Sequence, residues 1–192
     1  MCTELMPDRR SPPVIGVFGG SFDPPHLAHT LLAAYVLAAY PIDRLLVIPT
    51  FRHAFAKPLA PYDHRLRMCE LAMADIRRVE VSRIEVEIGG ESLTHNTIEE
   101  LRRRNPEAFL RLVIGSDLLT ETPRWYNFER VRELAPPIVV PRAGYRDQTA
   151  SGFELPLVSS SEIRAQLKRG IQPDGALSHT VAHYVQRHAL YR

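Results

Sequence analysis

Val14-Ile15-Gly16-Val17-Phe18-Gly19-Gly20-Ser21-Phe22-Asp23-Pro24-Pro25-His26-Leu27-Ala28-His29 passes from an apolar run through glycines and prolines to two histidines, and a long apolar stretch follows. That order reads as strand, phosphate loop and helix start. The segment 14–18 is short, apolar and rich in β-branched side chains, as expected of a strand buried on both faces of a parallel sheet. Gly19 and Gly20 are expected to end it, because glycine can take positive φ or let backbone approach a ligand closely. Ser21 and Phe22 continue the loop. His26 and His29 are three apart, which puts both imidazoles on one face of the first helical turn. Free N–H groups there attract an anion, and both rings can aim donors at the same phosphate. Two plainer readings stay open: a simple βα turn at the glycines, and metal ligation by the histidines, although no further ligands follow at the spacing of a zinc site.

The chain has 192 residues, enough for one α/β domain with a sizeable core and no need of disulfides. Residues 14–192 are expected to form that domain, with 1–13 a flexible extension carrying charges and prolines without periodicity. A formal net charge of +2 is too balanced to imply a nucleic-acid surface. The two cysteines, Cys2 and Cys69, lie far apart, so a reduced, cytoplasmic compartment is expected. The apolar run 31–40 is shorter than a membrane span, and the first dozen residues lack a signal-peptide core, so no membrane partner is expected.

Further along, 31–40 reads as a buried helix stopped by Pro41, and 45–48 as a second buried strand, which makes a βαβ unit. Residues 50–62 read as a loop over the site, with Arg52, His53 and Lys57 as its cations. In 62–74, Leu66, Cys69 and Met73 fall on one stripe of an amphipathic helix, with Met68 and Met73 in the core. Alternation in 79–88 reads as a half-buried strand, closed by a turn at Gly89-Gly90. Asn96 with Glu99 fits a capping box, and Arg102-Arg103-Arg104 reads as a solvated face. The strand 110–114 ends in Gly115-Ser116-Asp117, and ligands bind at the carboxyl edge of such sheets. Asp117 can accept from a ribose or cap the next helix. A strand at 137–140 and a helix at 181–190 complete the pattern. In Val158-Ser159-Ser160-Ser161-Glu162-Ile163-Arg164, hydroxyls and free N–H groups at a helix start can bind phosphate, and Arg164 adds a forked donor.

Gly19 to His26 resembles the signature of the nucleotidyltransferase superfamily with a His-x-Gly-His motif, and in particular its nicotinate-nucleotide adenylyltransferase branch. Ala28 stands where that motif has glycine. The 158–164 run resembles the superfamily's Ile-Ser-Ser-Thr-x-Ile-Arg. Between them, Lys57 matches the lysine of a Pro-Pro-His-Lys loop, and Thr94 and Thr97 match a Ser-Tyr-Thr-x-Asp-Thr stretch from which Leu93 and Asn96 depart. Gly115 and Asp117 match Gly-x-Asp, Trp125 and Tyr126 match a Trp-Tyr element beside the nicotinate ring, and Arg142 sits in a weakened Lys-Arg-Pro-Gly.

The resemblance implies an α/β fold, a Rossmann-like open, mostly parallel sheet with helices on both faces. It implies adenylyl transfer from ATP to nicotinate mononucleotide by direct attack of the acceptor phosphate, with no protein nucleophile. His26, His29, Lys57 and Arg164 would be the catalytic donors. Gly19, Gly20, Ser21, Phe22, Ser159, Ser160 and Ser161 would bind ATP, and Thr94, Thr97, Gly115, Asp117, Trp125, Tyr126 and Arg142 the mononucleotide. Mg²⁺ would be held mainly by substrate phosphates, with no protein metal site. Assembly into a homo-oligomer stays open. The departures at Ala28, Leu93, Asn96, Pro141 and Gln172 leave room for a sister enzyme with another phosphorylated acceptor. A non-catalytic nucleotide-binding module is the farther alternative.

Overall fold

Which side of the sheet each strand residue faces decides where the helices dock. The computed structural model describes residues 11–144 and 153–192. Most of the 1–13 extension and of the loop 147–154 lies outside the described residues. Strands β1 (Val14–Gly20), β2 (Arg44–Pro49), β3 (Val79–Val81), β4 (Phe109–Gly115) and β5 (Ile138–Val140) form one sheet in the order β3-β2-β1-β4-β5, and every pair is parallel. The expected open sheet is therefore present, and it is wholly parallel. Phe18, Leu45 and Val47 point to one face, where α1 (Leu27–Ala39) and α2 (Tyr62–Met73) cover them with Leu32, Val36, Cys69 and Met73. Ile15, Val17, Leu46 and Ile48 point to the other. There α3 (Ile84–Ile88), α4 (Thr94–Arg104) and α5 (Phe128–Leu134) contribute Ile84, Ile98, Leu101 and Val131. Full burial of such side chains stabilises by about 1.5–3 kcal/mol each. Helix α6 (Ser160–Lys168) follows, and α7 (His179–Arg187) packs Val181 and Val185 on Met68 of α2. Among the described residues no helix is long and apolar enough to cross a membrane.

Gly19 and Gly20 end β1 as expected, paired with Ile48 and Pro49 as its last residues, and the positive φ falls beyond them on Phe22, at 46°. A Cβ on Gly19 would meet nothing among the described residues within 4 Å, which leaves room for a ligand there, whereas one on Gly20 would press on the Phe22 ring at 3.2 Å. Two expectations need correction. Residues 79–88 are not one strand, because pairing stops at Val81 and Ile84 to Ile88 is a helical turn ended by Gly89 at φ 74°. The capping box at Asn96 does not form. Helix α4 has already begun at Thr94 with Leu93 as its N-cap, so Asn96 lies within the first turn.

Strand order reverses at β1, whose neighbours are β2 on one side and β4 on the other. The crevice beyond the carboxyl ends of β1 and β4 is the place where open α/β sheets bind ligands. Gly19-Gly20 and Gly115 end those two strands.

Candidate active site

A cavity of about 540 Å³ opens at that edge, lined by Gly19, Gly20 and Ser21 from the β1 end and by Lys57, Thr94, Thr97, Trp125 and Tyr126. These eight residues, spread over the sequence, are brought to one wall system by the strand order. The other candidates gather around residues 21–26 and the end of β4, as their hydrogen bonds show below.

His26 is the N-cap of α1 and His29 its third residue, so the rings stack with centroids 3.8 Å apart and 24° between planes. The backbone N–H of His26 donates to His29 Nδ1 at 3.1 Å. That bond leaves the proton of a neutral His29 on Nε2, so the ring is a donor on its other edge. The edge of the Phe22 ring supports it, 4.9 Å between centroids. Phe22 itself is 1% exposed, so its side chain belongs to the core beneath the histidine and its backbone to the loop. His26 is also buried, and its Nδ1 has no hydrogen-bond partner among the described residues. Ala28, at the departure from the family wording, is buried in the core.

Burial first, and then the Arg142 charge, lower the pKa of His26 to about 4. Burial, His26 and Arg142, in that order, hold His29 well below the usual imidazole range. Both rings are neutral donors at neutral pH. In an unfolded chain imidazoles titrate near pH 6.5. A lowered folded value means that the neutral form stabilises the fold fully above about 6.5, and that this is lost as pH falls towards 4. For His26 the loss is of order 3 kcal/mol when complete. Thermal unfolding at pH 7.5 and 5 is therefore expected to show a larger drop for the parent than for His26→Gln, and equal drops would contradict this.

The second motif clamps the first. Ser159 is the N-cap of α6, its Oγ accepting from the N–H of Glu162 at 3.2 Å. Ser160 Oγ donates to the carbonyl of Pro24 at 3.0 Å, and Arg164 Nη1 to the carbonyl of Asp23 at 2.7 Å. Ser161 Oγ accepts from Arg164 Nη2. These side chains were expected on phosphate, yet each first holds the loop or its own helix. Arg164 has five N–H donors, so some remain beyond these bonds. Ser21 also receives a bond the sequence did not signal, from Arg65 of α2, which is 1% exposed.

Of the residues expected to bind the mononucleotide, Asp117 neither caps the following turn nor stands free: it pairs with Arg142, whose guanidinium also donates to the Val158 carbonyl. A Cβ on Gly115 would push Asp117 Oδ1 from its place. Thr97 is buried, its hydroxyl within 3.3 Å of both Glu85 Oε1 and the Leu93 carbonyl. Glu85 lines the cavity and accepts from the Phe51 N–H at 2.9 Å, while burial raises its pKa. Reading 79–88 as a strand hid this carboxylate. Trp125 is half-buried with its edge on Phe128, and Tyr126 is exposed. Lys57 is exposed and lines the cavity, whereas Arg52 lies over the Phe51 ring, 5.2 Å from its centroid. Among the described residues no group of three or more His, Cys, Asp or Glu side chains could hold a metal ion.

A parallel sheet with a glycine loop at its switch point, a neutral histidine pair opening the next helix and a serine-capped helix locked onto that loop is the framework of an α/β nucleotidyltransferase. A family profile described as cytidylyltransferase-like matches residues 17–166. A probable nicotinate-nucleotide adenylyltransferase of Anaeromyxobacter dehalogenans is 42% identical over 181 residues, 93% of this chain and 96% of the relative. Another from Thermus thermophilus is 37% identical over 93% of this chain and 99% of its own. A solved structure of Plasmodium falciparum nicotinic acid mononucleotide adenylyltransferase complexed with NaAD superposes with a TM-score of 0.80 at 20% identity, covering 93% of this chain and 97% of that one. The chain belongs to the cytidylyltransferase-like family, and within it to the nicotinate-nucleotide adenylyltransferases.

Proposed function

We propose that the protein transfers the adenylyl group of ATP to nicotinate mononucleotide, forming the deamido dinucleotide of NAD biosynthesis and releasing pyrophosphate. The observation that carries this is the division of one crevice into two ends. One end offers the Gly19-Gly20 backbone, with the two neutral imidazoles at the start of the helix that follows it, suited to phosphates; the other offers Thr94 and a half-buried indole, suited to a pyridine ring. An oxygen of the mononucleotide phosphate attacks the α-phosphorus, the α–β bridging bond breaks, and pyrophosphate carries off the electron pair. No protein nucleophile takes part. The chain's contribution is alignment and donors for the charge that develops on the phosphates. His26 and His29 are those donors on the loop side, Lys57 is a further one on the cavity wall, and Arg164 supplies the guanidinium donors that Asp23 and Ser161 leave over. The Asp117 carboxylate is paired with Arg142 and so is not offered to a cation. Mg²⁺ belongs with ATP, as part of the substrate.

The test is pyrophosphate release with ATP and a panel of phosphorylated acceptors. Release is expected with nicotinate mononucleotide. Release only with a different acceptor would point to the sister-enzyme alternative, and binding of ATP without release under any condition would point to a non-catalytic module.

A further inference from the structure

Two buried polar residues outside the cavity lining hold the loops that form it. Arg65 is 1% exposed, and its guanidinium donates to two backbone carbonyls, Ser21 through Nη1 and Ala60 through Nε, each at 2.9 Å. Ser21 ends the glycine loop, and Ala60 closes the segment that carries Lys57. One planar fork thus fixes the spacing between the two sides of the phosphate end. Asp23, also 1% exposed, ties the same segments from the other direction. Its Oδ1 accepts from the Tyr191 hydroxyl at 2.7 Å and from the Ala60 N–H at 3.2 Å, and its Oδ2 lies 3.7 Å from Arg164 Nη1. A buried carboxylate is tolerable only when paired and hydrogen-bonded, so each donor matters to where Asp23 settles. Burial and then the Asp23 charge raise the Tyr191 pKa, which keeps the phenol a donor. Asp23 is three residues before His26, so a shift of this carboxylate is passed directly to the start of α1.

We propose that Tyr191 and Arg65 are positioning residues of the adenylyl-transfer site, acting through Asp23 and through the Ser21 and Ala60 carbonyls to set the phosphate loop against the Lys57 loop. The inference rests on ATP phosphates lying at that loop. Neither residue touches the cavity, so their effect is on ATP and not on the pyridine nucleotide, whose contacts come from α4 and the 125–126 segment. Residues near Tyr191 are independently anchored, because Val181 and Val185 pack on Met68. Loss of the hydroxyl alone should therefore leave the fold in place.

Tyr191→Phe and Arg65→Lys are to be compared with the parent for KM and kcat towards each substrate, for direct binding of a non-hydrolysable ATP analogue, and for thermal unfolding. Each variant is expected to lose about tenfold in kcat/KM for ATP, the scale of one hydrogen bond to a charged group. The KM of the mononucleotide is expected to stay within about twofold. Lysine keeps the charge but lacks the fork, so Arg65→Lys should not rescue. In an Asp23→Asn background Tyr191→Phe should add little, because both act through one bond. If Asp23→Asn does not fold, the two single variants still decide. Unchanged ATP parameters with a lowered unfolding temperature, or equal losses for both substrates, would show a merely structural network and overturn the proposal. A parent protein that does not bind the ATP analogue would overturn adenylyl transfer, and the positioning role with it.

Discussion

His29→Ala lowers turnover by about two orders of magnitude or more and leaves the protein folded, on the scale measured when one transition-state donor is removed. The size follows from the state of the ring. His29 Nδ1 accepts from the His26 N–H, so its one proton sits on Nε2, and burial, His26 and Arg142 keep it neutral. A neutral donor fixed by a backbone bond and by the Phe22 ring needs no reorganisation when charge develops on the phosphates. Alanine removes that donor. It also removes the side-chain acceptor for the His26 N–H, a capping loss of about 1 kcal/mol, against the roughly 5–15 kcal/mol that hold a typical domain. The loss should therefore fall mainly in kcat, measured with saturating ATP. Turnover equal to the parent would remove His29 from the mechanism.

The elements that position this ring were legible because their signals are local. Strands β1, β2 and β4 are apolar runs bounded by glycine or proline, and the histidine spacing is itself the helix geometry. Helix α3 was not legible: Ile84, Val86 and Ile88 alternate as a strand would, while Ile84 and Ile88 alone are spaced as a helix, and five residues cannot separate the two periods. Arg65 was hidden for another reason. Its partners are carbonyls of Ser21 and Ala60, and no side-chain pattern marks a carbonyl as needing a donor. One signal was present, since Arg65 precedes Cys69 by four and so lies on the buried stripe of α2, where an arginine must have partners. Asp117 was placed correctly at the sheet edge, but its partner Arg142 comes from beyond β5, and only the strand order brings β4 and β5 side by side.

Nicotinate mononucleotide is expected to be used in preference to its amide by about tenfold to a hundredfold in kcat/KM, from a difference of about 1–3 kcal/mol. Ring stacking on Trp125 cannot make this choice, because both pyridines stack. The choice needs donors without acceptors of their own, aimed at the ring substituent. The Trp125 N–H is not one of them, being bonded to the Thr122 carbonyl at 3.0 Å. The N–H groups of Thr94, first residue of α4, and of Tyr126 find no backbone acceptor among the described residues, and both residues line the cavity. The α4 end adds its partial positive charge. Arg124, stacked on Phe55 at 5.0 Å and lining the same cavity, adds a full one. A carboxylate accepts from such groups with either oxygen, whereas an amide presents one acceptor and turns its NH₂ towards a donor. Trp125→Ala should then weaken both substrates alike and leave their ratio unchanged. Steady-state kinetics with the two mononucleotides decide the matter, and equal values or a preference for the amide would show that these donors do not read the acid.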